Sequence, residues 1–273
     1  MIVTASIVTY KTNTDELSKC LSSILCSPIF RIFISDNSPN DDLRRICKQY
    51  DRVEYIFNNA NIGYGAGHNV AIRYAMKIKS CYHLVLNSDV YFEPTIIGKI
   101  TDYMENNENV AQLQPKITYP DGTLQLAQRL LPTPFNLISR RFLPNSLSRM
   151  LNSKYTLSFW DHNCTVNIPY HQGSFMFFRM DALNRVGLFD ERFFMYPEDI
   201  DITRRMHKYF KTIYWPKVSI VHNHRAESYQ STKLLVIHII NMIKYFNKWG
   251  WIVDRERSRW NNQVLQALGY KKK

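Results

Sequence analysis

The sequence predicts an α/β fold: a mostly parallel central sheet flanked by helices, followed by a helical C-terminal extension. Three observations carry this reading. Short β-branched runs alternate with amphipathic stretches through the first 116 residues, the pattern of strands joined by covering helices. Polar clusters follow several of those runs, and ligands in parallel sheets sit beyond the carboxyl ends of the strands. The last 45 residues then return to helical, amphipathic spacing.

Taken in order, IVTASIVTY (2–10) is short and β-branched, which makes it a buried first strand. Asn13 and Glu16 form a capping-box pattern ahead of Leu17, Cys20, Leu21, Ile24 and Leu25 at helical spacing. RIFIS (31–35) is the second strand and Asp41 to Tyr50 a helix. VEYIF (53–57) is the third strand, followed by a Gly-rich loop and a helix through Val70, Tyr74 and Ile78. HLVL (83–86) is the fourth strand and ends at Asn87-Ser88-Asp89. Residues 118–170, with Pro132, Pro134 and Pro144, show little periodicity and are expected to wrap the site. SFMFFRM (174–180) restores order, and Ile202, Met206 and Tyr209 share a helix face that starts near Glu198 or Asp199.

Composition narrows the class. The five cysteines are scattered without a C-x-x-C pair, which fits reduced thiols better than a disulfide framework or zinc site. The N-terminus lacks a basic, long-apolar leader pattern and reads as a strand. The longest apolar stretch, Leu234 to Phe246, falls short of the roughly 20 residues that span a bilayer. A cytoplasmic protein, soluble or peripheral on the inner face of the cell membrane, is expected. The net charge of +12 is concentrated in two places. Residues 122–160 hold Arg129, Arg140, Arg141, Arg149 and Lys154 with no acid, and residues 229–273 hold nine basic residues against Asp254 and Glu256. Two basic surfaces on a neutral body point to anionic partners.

SIVTYK (6–11), ISDNSPND (34–41), NIGYGAGHN (61–69), LVLNSDVYFEP (84–94), GLFDERFFMYPEDIDITRR (187–205) and VSIVHNHRAES (218–228) occur in an order that resembles the family 2 glycosyltransferases, bacterial rhamnosyltransferase-like members above all. The resemblance implies the GT-A fold. It implies a catalytic domain over 1–228, divided into a nucleotide-binding half (1–116) and an acceptor half (117–228), with 229–273 as a basic extension. It also implies an inverting transfer of a sugar from a nucleotide diphosphate to a glycan hydroxyl in surface-polysaccharide synthesis. By resemblance, dTDP-L-rhamnose is the first donor expected and a UDP-sugar the next. The acceptor implied is a glycan or a polyprenyl-diphosphate-linked one.

The residue roles follow the same resemblance. Tyr10 matches the residue that stacks on the base, and Asp36 the acceptor for a pyrimidine imide N–H. The bland roles are core packing for Tyr10 and a turn cap for Asp36. Asn61 and Asn69 fall in the matching Gly-rich stretch and are expected near the substrate. Asp89 matches the last carboxylate of a D-x-D motif whose first place is taken by Asn87. A divalent metal, Mn²⁺ or Mg²⁺, neutralises a leaving diphosphate in such sites, and Asp89 and His222 are its expected ligands, with His224 the alternative. Asp199 matches the general base that takes the acceptor proton, and Glu198 positions acceptor or sugar hydroxyls. Arg205 is expected either to pair with Asp201 at i, i+4 or to reach the phosphates.

Other readings are weaker. A dinucleotide fingerprint would need glycine at 68, where His68 stands, and the loop follows the third strand instead of the first. No nucleic-acid recognition motif accompanies the basic tail, so no nucleic-acid partner is expected. A sugar nucleotidyltransferase lacks its Gly-rich loop after the first strand. An inactive, glycosyltransferase-like binding protein stays open because of Asn87. The basic tail, rich in Leu234, Ile237, Ile240, Trp249, Trp251 and Trp260, suits an anionic membrane surface.

Overall fold

The computed structural model describes residues 1–223 and 232–270. In chain order they form β1 (Val3–Thr9), α1 (Thr14–Leu25), β2 (Arg31–Asp36), α2 (Arg44–Cys47), β3 (Val53–Phe57), α3 (Tyr64–Lys77), β4 (Tyr82–Leu86), β5 (Val90–Tyr91) and α4 (Thr95–Glu105). There follow β6 (Val110–Thr118), β7 (Gln128–Arg129), α5 (Pro134–Phe142), α6 (Asn145–Asn152), β8 (Val166–Asn167), β9 (Tyr170–His171) and β10 (Phe175–Arg179). The chain closes with α7 (Met180–Val186), α8 (Glu198–His207), β11 (Lys211–His222), α9 (Thr232–Trp249) and α10 (Arg255–Ala267).

One sheet runs β3-β2-β1-β4-β10-β6-β11-β5, with β8 added on β11. Strands β1 to β4 are mutually parallel, and β6 and β11 run parallel to each other. Strand β10 lies antiparallel between β4 and β6, which keeps β6 and β11 in the direction of β4. The carboxyl ends of β1, β2, β4 and β11 therefore open on one edge, and the site lies there. A hydrophobic run fixes that a strand exists, while its direction is set by partners far along the chain; this is why the antiparallel β10 is a finding of the structure.

Side-chain alternation separates two cores. Val3, Ala5, Ile7, Ile32, Ile34, Leu84 and Leu86 face α1 and α4. Phe33, Val85, Met176 and Phe178 face α3, α7 and α8. Helix α1 starts as its sequence suggests, with the Asn13 side chain accepting from the Asp15 and Glu16 amides. Two segments differ from expectation. The Asp41 to Tyr50 helix shrinks to one turn, α2. The stretch expected to be irregular contains α5 and α6, and α5 opens with a Thr133–Asn136 capping box and Pro134 in its first turn.

The boundary expected after residue 228 falls within 224–231, outside the described residues. Beyond it, α9 and α10 pack on the body. Met242, Tyr245, Phe246 and Trp260 share a core with Phe193 and with Ile200 of α8. Arg204 of α8 is 1% exposed and forms a bidentate pair with Asp254, both contacts at 2.7 Å, under the Trp249 ring.

Candidate active site

The acidic end of the site is the first turn of α8. Glu198 and Asp199 are both buried, although a helix N-terminus favours the charged form of a carboxylate. The Asp199 carboxylate is held from two sides, accepting from the Gly173 amide at 2.9 Å and the Ile200 amide at 2.7 Å. Burial pushes its pKa up to about 7, while those two amides and Arg129 on β7 act in the opposite direction. Glu198 is also raised well above its ordinary range, by burial and by Asp199 beside it, and its Oε2 has no hydrogen-bond partner among the described residues. The pair thus contains a carboxylate that changes charge near neutrality, as a general base requires.

The opposite end is built on β4 and β11. Asn87 and Asp89 follow β4, and His222 closes β11 beside Val90. His222 Nε2 lies 3.3 Å from Asp89 Oδ1. On its other side Nδ1 meets Gln125 Oε1 at 2.7 Å; since an amide oxygen only accepts, Nδ1 is the donor there, which leaves Nε2 on the side of Asp89. A carboxylate oxygen and an imidazole nitrogen 3.3 Å apart fit Mn²⁺ or Mg²⁺ as a donor set. Among the described residues no cluster of three His, Cys, Asp or Glu side chains exists to cage a metal unaided. Two protein ligands completed by substrate phosphates is the usual arrangement for such ions. His224 and the side chains of Arg140 and Arg141 lie outside the described residues.

Tyr64 joins the two ends. Its hydroxyl sits 2.7 Å from the Gly173 carbonyl and 2.9 Å from Asn87 Oδ1, and the amide of that same Gly173 holds Asp199. Burial, then Glu198, Asp199 and Asp89, keep the phenol protonated far above its ordinary range. Its ring packs edge-on against buried His68 at 4.4 Å, itself bonded to Ser6. Gly173 lies against both residues: a Cβ there would meet Asp199 Cβ at 3.4 Å and Tyr64 Cε1 at 3.5 Å, in ordinary van der Waals contact. Sequence reading passed over both residues. The usable signal was position alone: Tyr64 inside the Gly-rich stretch, and Gly173 immediately before a strand.

The remaining expected residues divide. Tyr10, just after β1, is 49% exposed, so core packing does not describe it. Asp36 is fully buried at the end of β2, where Oδ1 accepts from the Ser38 amide and Oδ2 from Tyr55 at 2.6 Å. Asn61 is exposed and accepts from the Gly63 amide. One expectation needs correction, and one open choice is decided. Asn69 was expected at the substrate, but it is buried and its amide is spent on the Phe189 backbone and Glu191. Arg205 was expected to choose between Asp201 and phosphates; it pairs with Asp201 at 2.8 Å and donates to the carbonyls of Val186, Gly187 and Leu188. Both side chains fix the loop that delivers Glu198 and Asp199. Gly63 and Gly65 serve the same contact, since a Cβ at Gly63 would stand 2.5 Å from the Phe194 carbonyl oxygen and one at Gly65 3.0 Å from Phe189 Cβ.

A sheet of this order, with an N-x-D turn and a buried acidic helix start at the carboxyl ends of its strands, is the architecture of a GT-A glycosyltransferase. Its solved likenesses include GalNAc-T7 with UDP, GalNAc and Mn²⁺, at TM-score 0.66 and 13% identity, covering 98% of this chain and 57% of that one. The chain belongs to glycosyl transferase family 2, whose model matches residues 4–187, and it is a transferase. It is 26% identical over 214 residues to the N-acetylglucosaminyl-diphospho-decaprenol L-rhamnosyltransferase of Mycobacterium tuberculosis, covering 72% of this chain and 67% of that protein. It is 28% identical over 200 residues to the low-salt glycan biosynthesis hexosyltransferase Agl10 of Haloferax volcanii, covering 73% of this chain and 59% of that protein.

Proposed function

We propose that the chain transfers a sugar, with inversion, from a nucleoside diphosphate to a hydroxyl of a lipid-linked glycan. The observation that carries this reading is a buried carboxylate, Asp199, with its pKa near 7, joined through Gly173 and Tyr64 to the Asn87–Asp89 turn. Tyr10 and Asp36 receive the base. Asp89 and His222 hold a divalent ion together with the diphosphate; when bound, that ion supplies positive charge to the leaving group. Ionised Asp199 takes the proton of the acceptor hydroxyl as it attacks the anomeric carbon from the face opposite the diphosphate. Glu198, neutral beside it, donates a hydrogen bond to a sugar or acceptor hydroxyl. Arg129 offers positive charge at the acceptor side.

The relatives favour particular substrates. The mycobacterial enzyme is named for an L-rhamnosyl transfer to a diphospho-decaprenol acceptor, so dTDP-L-rhamnose is the first donor to try and a UDP-hexose the second. Among the described residues no helix is long and apolar enough to cross a membrane. We place the enzyme at the inner face of the cell membrane, held by its basic C-terminal segment.

A panel of dTDP-, UDP- and GDP-sugars with Mn²⁺, scored by melting-temperature shift and slow donor hydrolysis, tests the donor. The anomeric configuration of the product tests inversion. Retention of configuration would overturn the mechanism, and equal stabilisation by GDP and dTDP would overturn the base site.

A further inference from the structure

The turn between α9 and α10 carries three apolar side chains outward. Ile252 is 90% exposed, Val253 80% and Trp251 43%. Side chains so apolar and so exposed, side by side, mark an interaction site when the segment is rigid, and this one is. Gly250 takes a φ of +104°, and a Cβ there would stand 2.7 Å from the Val253 carbonyl oxygen, so the turn accepts only glycine. The Trp251 indole leans on Phe246 and donates to Asn247 at 2.9 Å.

Beneath the turn lies Arg257, a buried guanidinium. It donates to the carbonyls of Gly250, Trp251 and Ile252, and to that of Pro132. Three carbonyls of the turn are therefore satisfied from inside the protein. That is what a backbone needs before it can leave water, because an unpaired carbonyl is costly in an apolar medium. The tie to Pro132 also brings in α5, which begins two residues later and exposes Phe135 and Ile138. Helix α9 adds an outward stripe of Val236, Ile239, Ile240 and Ile243, opposite the buried Met242, Tyr245 and Phe246.

Charge identifies the occupant. Lys233, Lys244, Arg255 and Arg259 are exposed around these apolar groups. The acids of the two helices and their turn face inward, Asp254 on Arg204 and Glu256 on Arg204 and Lys208. A second copy docked face to face would bring the two basic rims together, whereas an anionic lipid surface meets both the apolar tip and its rim.

We propose that the Trp251–Val253 tip, with Phe135 and Ile138 beside it, inserts among the headgroups of an anionic bilayer. Arg257 is the residue that holds it in shape. The purpose of this contact rests on the lipid-linked acceptor reading; the contact itself does not.

Co-sedimentation of the full chain with phosphatidylglycerol/phosphatidylcholine vesicles, and with phosphatidylcholine alone, tests it at low and high salt. The wild type is expected to pellet with the anionic vesicles at low salt and to blue-shift its tryptophan emission. Trp251→Phe is expected to remove most of that shift. The exposed pair Ile252→Asp/Val253→Asp is expected to weaken partitioning roughly tenfold or more, while donor hydrolysis stays at the wild-type rate. No pelleting at low salt, or pelleting indifferent to the aspartate pair, overturns the proposal. A concentration-dependent dimer abolished by the same pair would give the face to a second copy and overturn it as well. Loss of vesicle binding with intact transfer to a lipid-free acceptor would leave the transferase reading standing.

Discussion

Asp199 accepts a proton only when ionised, and its burial moves that ionisation to about pH 7. Activity is therefore expected to climb as pH rises through 7 and then level; a flat profile between pH 6 and 8 would remove Asp199 as the base. The sign for stability is opposite. A carboxyl whose folded pKa lies above its unfolded value holds its proton more tightly when folded, so its contribution declines as pH rises toward 7. Asp199→Asn is expected to flatten that part of the melting-temperature profile and to lower kcat by roughly 10²–10⁴-fold. Tyr64→Phe keeps the ring against His68 but removes the hydroxyl between Gly173 and Asn87. We expect kcat to fall roughly 10- to 100-fold through misplacement of the two ends, with nucleotide binding, read by melting temperature, little changed; a wild-type kcat would show that the bridge does no positioning. At this scale the sequence made the charged residues legible because carboxylates cluster in short motifs. Tyr64 and Gly173 escaped because their roles come from contacts 109 residues apart in the chain.

Elements carry a second layer of the design. Helix α8 begins with the acidic pair and, farther along, presents Arg204 to Asp254 at the N-cap of α10. Lys248 and Trp249 of α9 converge on Asp201 of the same helix. The C-terminal helices thus clamp the helix that bears Glu198 and Asp199. Asp254→Ala leaves a buried guanidinium without its main counter-charge, and loss of one member of such a pair costs about 3–5 kcal/mol. A lowered urea midpoint with an unchanged slope is the expected result, and a change under about 1 kcal/mol would show that the tryptophan stack suffices. Periodicity revealed β1 to β4, the 174–180 run and α8 because their apolar patterns are strong, and it passed over α4 and β6. It missed α5, whose start was nonetheless written in Thr133, Pro134 and Asn136, and overextended α2, where polar residues crowd the segment from Asp41 to Gln49. The docking of α9 and α10 on α8 was beyond it, since ion-pair partners 50 residues apart share no local pattern.

For the whole molecule, the metal and the nucleotide are expected to act together. Excess EDTA should abolish transfer and Mn²⁺ or Mg²⁺ restore it, and dTDP or UDP should raise the melting temperature more with Mn²⁺ than without, since a ligand bound only by the folded state stabilises it. Asp89→Ala is expected to erase that difference, with His222→Ala next in severity; full activity in EDTA would sink the assignment. The α/β class, the strand edge that bears the site and the basic tail were all legible in the sequence, because each depends on composition summed over many residues. The Arg204–Asp254 pair has one more consequence, and it concerns time. Chains emerge from the ribosome N-terminus first at about 5–20 residues per second, so roughly 3–10 s separate the synthesis of these two partners. During that interval the acidic helix start exists without the counter-charge that seats its helix. The newborn chain therefore seats the helix that bears Glu198 and Asp199 only after the turn between α9 and α10 has itself been made.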